Sequence, residues 1–306
     1  CVVQGFTAGM YMDFLAKIEA GAGGPQDILN VVAADLRTDL AAALSDIGSG
    51  QKVLRVTNTQ TAISNTTFAE TMTLWVECSG RISWTDGLLL DFDRPEQIKA
   101  GNCQIFDAKA GVRFAKPGKV NPAWWGMKEG ATASVNYTAI RQAIDSMATG
   151  TTRASVLKFP AGSYQVSDVL LTNSREFTVK GDGERSTVLL FAATGSGKHG
   201  FSCSGVTGFL RAEDIRINTA TPLTLDNAQA GINCDIATAT LAANTRVELE
   251  RVTLDGWNRP LYCDGGNSFL ISLCEVQFSA LNVSGVNSTS LNYAMVCTRT
   301  QICHGE

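Results

Sequence analysis

"LRAEDIRI" (210–217), "VELERVTL" (247–254) and "ISLCEVQF" (271–278) align without gaps. Apolar residues fall at the same four places in each copy. These are Leu210, Ala212, Ile215 and Ile217; Val247, Leu249, Val252 and Leu254; and Ile271, Leu273, Val276 and Phe278. Within each half the spacing is two, the period of a strand with one buried face. A two-residue corner between the halves keeps both apolar sets pointing the same way. The last two copies start 24 residues apart and the first two 37 apart, which leaves room for an insertion in the earlier interval. Coils of about 20 to 30 residues, unable to bury an inner face alone but able to do so when stacked, are the units of a parallel β-solenoid. A sandwich would put hairpins at its corners and would not repeat one strand–corner–strand unit. The pattern predicts a mainly β fold, a parallel β-helix, with Ile215, Val252 and Val276 in one inward column.

Working back toward the N-terminus, "SVLKFPAGSYQVSDVLL" (155–171) and "FTVKGDGERSTVLLF" (177–191) each read as strand, turn, strand. Short β runs such as "KVLRVT", "TLWVE", "RISW" and "LLLDF" occupy residues 51 to 120 as a β prelude, without the Asn-Gly or Asp-Gly signals of tight hairpins. Between these regions "VNYTAIRQAIDSMA" (135–148) places Ile140, Ala143, Ile144 and Met147 on one helical face. That helix is expected to cap the open end of the coils, and with them to form a domain over 121 to 306. An uncovered end would expose core and unpaired strand edges.

The first fifty residues have a different character. "GPQDILNVVAADLRTDLAAALSDIGSG" (24–50) opens with Pro25 and closes with Gly48 and Gly50, and carries a stripe of Leu29, Val32, Leu36, Leu40, Ala43 and Ile47. The spacing predicts a helical stem that either packs on its own domain or pairs with copies of itself as a coiled coil. With the Gly-rich stretch before it, it makes residues 1 to 50 an N-terminal attachment segment and stem. The start at Cys1 reads as a processed or partial chain.

With 25 basic against 29 acidic residues among 306, the chain lacks the excess of positive charge that a nucleic-acid protein needs. No apolar run is long enough for a membrane span, and no signal peptide is visible. Nine cysteines and two histidines do not form a zinc ligand set by spacing, so no metal site is expected. The favoured reading of most cysteines is as small buried hydrophobes, the other being disulfides. "GDGERST" (181–187) and "GSGKHG" (195–200) lack the Lys-Ser/Thr ending of a phosphate loop, and no cofactor is expected.

The region from 52 to 191 resembles the N-terminal part of the pectate-lyase-like right-handed β-helices of bacteriophage tailspikes. Pro122, Trp124, Trp125 and Gly126 match that family's lead-in segment; Phe159, Pro160, Gly162 and Tyr164 match its first coil; Gly181, Gly183, Ser186 and Thr187 match its second. The acidic turn that the family carries after the lead-in is missing at "GMKEGATASVNYT" (126–138). The resemblance implies a right-handed coil, a homotrimer, and a place on the virion, with the N-terminal segment meeting other tail, baseplate or neck proteins. It also implies binding, and often cleavage, of a host surface polysaccharide, by hydrolysis more than by lyase chemistry.

Candidate catalytic residues come from the repeat corners. Glu213 and Glu250 share one offset, Asp214 and Glu275 the next. Stacked coils would bring two carboxylates to about 4.8 Å, near the roughly 5 to 5.5 Å of a retaining glycosidase. The plainer reading, which the pattern favours, is a solvated acidic corner. Glu248, Asp255 and Asp264 are further candidates, and Trp257 beside Arg259 is a candidate sugar-stacking pair. Three classes stay open: a tailspike depolymerase, a non-enzymatic neck, collar or receptor-binding virion protein of the same fold, and a secreted polysaccharide lyase. The absent signal peptide and the N-terminal helix disfavour the last.

Overall fold

The computed structural model describes residues 31–33, 40, 43–44, 53–62, 64–84, 87–107, 111–147, 155–168, 170–171, 177–192, 199–202, 208–220, 230–235, 244–257, 259–264, 268–279, 295–297 and 300–302. Among these the chain is mainly β with one complete α-helix, and every strand pairing is parallel. Parallel neighbours need long connections rather than hairpins, which is why tight-turn signals are missing from the sequence.

Strand β1 (Val31–Ala33) is followed by β2 (Val53–Val56), β3 (Thr59–Ala62), β4 (Thr66–Thr67), β5 (Thr73–Val76), β6 (Arg81–Trp84), β7 (Leu89–Phe92), β8 (Ile98–Ala100) and β9 (Gly111–Phe114). They form three sheets, ordered β1-β2-β5-β8, β3-β6 and β4-β7-β9. Strands β5, β6 and β7 lie on β2, β3 and β4 in turn, and β8 and β9 lie on β5 and β7. Phe106 continues the middle sheet by a parallel bridge to Ile82. Alternation along the strands sends Leu54, Val56, Leu74, Val76, Ile82, Leu90 and Phe92 inward, where all are buried. Phe68 and Phe92 stack with ring centroids 4.2 Å apart. The region read from sequence as a prelude thus repeats the three-strand pattern found further on.

A turn of 3-10 helix at Pro122–Trp125 follows β10 (Lys119–Val120), and Gly126 closes it at φ 97°, a left-handed conformation that glycine adopts without strain. Helix α1 (Ala133–Ser146) comes next, close to the 135–148 expected. Its Ile140, Ala143 and Ile144 are fully buried and Met147 nearly so. The remaining strands are β11 (Val156–Lys158), β12 (Gly162–Val166), β13 (Leu170–Leu171), β14 (Phe177–Lys180), β15 (Thr187–Phe191), β16 (Phe201–Ser202), β17 (Gly208–Thr219), β18 (Ala230–Asp235), β19 (Asn244–Asp255), β20 (Arg259–Asp264), β21 (Ser268–Ser279), β22 (Met295–Cys297) and β23 (Thr300–Ile302). One sheet runs β10-β11-β14-β17-β19-β21-β23, with β12 and β15 joining β17; another runs β13-β16-β18-β20-β22. Helix α1 packs on β12 and β13 as an end cap would, and also on β9, so it lies between the two sets of strands.

The register of β17, β19 and β21 is the gapless alignment of the three copies. Leu210 pairs with Val247 and Val247 with Ile271; Ile215 pairs with Val252 and Val252 with Val276. Ile215 and Val252 are fully buried, and Val276 is half-buried against the same core. Burying each such aliphatic side chain stabilises the fold by roughly 1.5 to 3 kcal/mol. The corner differs in detail from the two-residue joint expected. Asp214, Arg251 and Glu275, one per copy, stand in the left-handed region at φ 54°, 51° and 52°. One residue in that conformation bends a continuous strand and resets its alternation, so both halves face the core.

Two expectations need correction. The stem at 24–50 is not one helix: Val31–Ala33 is a strand paired with Val53–Arg55. Leu40 and Ala43 are helical, as the stripe predicts, and both are fully buried in the core of this chain. β-branched Val31 and Val32 suit a strand, and a sheet edge is there to receive them. Three of the nine cysteines also depart from the favoured reading, and the side chains of the other six lie outside the described residues. Cys78 and Cys103 form a disulfide, and Cys274 is free and exposed.

Candidate functional site

The motifs at 159–164 and 181–187 build turns. In "FPAGSY" the Tyr164 hydroxyl donates to the Ala161 carbonyl at 2.9 Å and the Pro160 carbonyl at 3.2 Å. Burial first, then nearby Glu129 and Asp182, push that hydroxyl's pKa up to about 12, so it stays protonated. The "GDGERST" turn lies alongside, because β12 pairs with β15. Asp182 accepts from the Ala161 amide at 3.1 Å, and the Thr187 hydroxyl donates to the Pro160 carbonyl at 3.1 Å. A Cβ on Gly181 would sit 2.1 Å from the Asp214 carbonyl oxygen, so the glycine permits backbone contact between strands.

Above these turns lie the predicted carboxylates. The parallel register sets Glu213 opposite Glu250, as stacking predicts. Each is already engaged by a cation. Lys180 reaches Glu213 at 2.5 Å and Asp214 at 3.6 Å. Arg211 pairs with Glu213, with Glu250 at 2.9 Å and with Glu248 at 3.7 Å. Arg251 pairs with Asp214 at 2.6 Å and with Glu250. The hydrogen bond from Arg251 is the main cause holding Asp214 and Glu250 below the usual carboxylate range, and Glu213 is the main cause raising Lys180. A glycosidase acid must hold its proton near neutral pH and so needs a raised pKa. Asp214 and Glu250 are tuned the opposite way, as members of an ionic ladder. Glu275 is exposed at the same corner and forms no ion pair among the described residues.

The proposed sugar-stacking pair does not survive. Trp257 is fully buried, donates from Nε1 to the Ile217 carbonyl at 2.8 Å and packs on Phe191 at 5.9 Å between ring centroids. It is core, because the strand end carries it inward beside an acceptor for its N–H. The backbone of Arg259 lies opposite Ala230 in the sheet, and its side chain lies outside the described residues, as does that of Asp264.

A groove of about 560 Å³ opens where α1 meets the first set of strands, with Glu70, Asp91, Asp93, Arg113, Asp145 and Met147 on its walls. Its acids are also neutralised. Glu70 pairs with Arg94 at 2.8 Å and Lys116 at 3.0 Å, Asp91 with Arg113 at 2.7 Å, and Asp145 with Arg141 at 3.3 Å. The Lys116 hydrogen bond is the first cause lowering Asp93. Among the described residues no group of His, Cys, Asp and Glu could hold a metal ion. No protein-family model, no curated protein and no solved structure matches the chain.

The residue that sequence reading passed over is Trp75. Leu74 and Val76 take the inward positions of "TLWV", which leaves the tryptophan on the outer face. Strict alternation in that run was the available signal.

Proposed function

We propose that the chain is a bacteriophage virion spike, a right-handed parallel β-helix that engages the surface polysaccharide of a host bacterium. The observation that carries this reading is the register of β17, β19 and β21, in which three copies of one unit stack on parallel strands. Right-handedness is what parallel crossover connections adopt in about 98 % of cases. The lead-in turn at Pro122–Trp125 and the helix that packs on β12 and β13 supply the start of such a coil. The spike acts outside the cell as a homotrimer, with residues 1 to 50 toward its virion partners.

On this reading polysaccharide cleavage calls for an acid other than Asp214 or Glu250. The cation pairing of Glu213, Asp214 and Glu250 favours a second form of the same proposal, a non-enzymatic spike that binds without degrading. The deciding experiment incubates the full chain with purified capsule and lipopolysaccharide from a host panel. New reducing ends mark hydrolysis, and absorbance of unsaturated sugars marks a lyase. Binding without products supports the non-enzymatic form. Neither binding nor products across the panel would remove the polysaccharide reading, and a monomer by native mass measurement at micromolar concentration would remove the trimer.

A further inference from the structure

Of the five tryptophans, Trp84, Trp124, Trp125 and Trp257 are buried, whereas Trp75 is 41 % exposed. Exposing a side chain with so much apolar area forgoes the stabilisation that its burial would bring, so its position calls for a cause. Strand register places Trp75 between two cations in one outward row, with Arg55 opposite on β2 and Lys99 opposite on β8. Arg55 lies over the indole at 5.4 Å from the ring centroid, and Glu77 holds its Nε at 2.9 Å. The indole is thereby steadied by a tethered guanidinium. Lys99 is exposed and forms no ion pair among the described residues. A chain of net charge −4 thus presents a tryptophan between an arginine paired with Glu77 and the exposed ammonium of Lys99, in one row across the sheet.

We infer that the row Arg55, Trp75 and Lys99 binds one acidic sugar unit, of the uronic-acid class, within a polysaccharide. The C–H face of a pyranose packs on the exposed part of the indole, and the sugar carboxylate pairs with the Lys99 ammonium. Neighbouring strands stand about 4.8 Å apart, roughly the width of one pyranose ring, so ring and carboxylate reach both groups at once. The ligand class rests on the reading of the chain as a polysaccharide-engaging spike; the position of the site rests on the geometry alone.

The test titrates the full chain with oligogalacturonate and hyaluronan oligosaccharides, and with maltooligosaccharides of equal length. Calorimetry and indole emission with acrylamide quenching follow binding. An acidic oligomer is expected to shield the one exposed tryptophan from acrylamide and to bind more weakly as salt rises. Trp75→Ala should abolish the shielding and weaken binding about tenfold, and Lys99→Gln should weaken it about fivefold and flatten the salt dependence. Circular dichroism unchanged in both variants keeps the comparison clean. Equal affinity for the neutral oligomers, unaltered acidic binding by Trp75→Ala, or no binding of either acidic oligomer would overturn the inference. So would shielding that grows with protein concentration alone, which would mark a contact between copies. If host polysaccharide binds but Trp75→Ala binds it equally, this site falls and the spike reading stands. If no host polysaccharide binds, the reading itself falls.

Discussion

Arg251 donates from Nε to the Asp214 carboxylate at 2.6 Å across neighbouring strands, and both residues occupy the left-handed backbone region, at φ 51° and 54°. A non-glycine residue there costs about 1 to 2 kcal/mol, and the ion pair with its partner at Glu250 offsets part of that strain. The two effects separate by substitution. Arg251→Ala keeps the strain and loses the pairs, so it should lower the thermal midpoint. Arg251→Gly loses the same pairs but relieves the backbone, and should be more stable than the alanine variant by about 1 kcal/mol. If the alanine variant melts at or above the glycine variant, the corner is not strained as described.

The same ladder sets a pH dependence. Asp214 and Glu250 are lowered from ordinary values of 3.8 and 4.5, so the unfolded chain takes up their protons first on acidification. Their contribution to stability is present above the ordinary values and is lost as pH falls through the lower folded ones. Thermal midpoints measured from about pH 6 to about pH 3 should fall, and the fall should be shallower in Arg251→Ala, which removes the largest cause of the shift and leaves those from Lys180 and Arg211. Parallel curves for the two proteins would show that the ladder does not carry the effect.

Helix α1 is held by its buried face. Ile144 is fully buried, so Ile144→Asp places an unpaired charge in the core and should destabilise by roughly 2 to 5 kcal/mol. Because α1 touches strands on both sides, the loss should reach both sets of strands. Hydrogen exchange would check this through faster exchange at both Phe114 and Val166. A variant that melts with the wild type would show that the helix is not docked on this core.

The Cys78–Cys103 disulfide closes a loop with a sequence separation of 25. Restricting such a loop in the unfolded chain contributes about 3 kcal/mol. Cys78→Ser should lower the thermal midpoint, and adding a thiol reductant should lower that of the wild type to the same value. A midpoint indifferent to both changes would mean that the bond is absent in solution.

The strand repeat was legible because burial on one face of a strand imposes a period of two on neighbouring residues, which Leu210 to Ile217 and its two copies display. Helix α1 was legible for the same reason at the helical period, from Ile140, Ala143 and Ile144. Its packing against β9 was not, since the earlier strands carry weaker versions of the pattern in runs of four residues or fewer. Charge pairing lay further from reach. That Arg251 neutralises Asp214 depends on a register between residues 37 apart, and no local period reports it. Trp257 and Trp75 make the same point. Both stand in or beside strands, yet one meets Phe191 and the Ile217 carbonyl and the other meets solvent. Local sequence determined which residues alternate, because alternation is a property of the extended backbone. Tertiary structure alone decided which side chains are buried, paired or left open, because each of those depends on atoms brought near from distant parts of the chain.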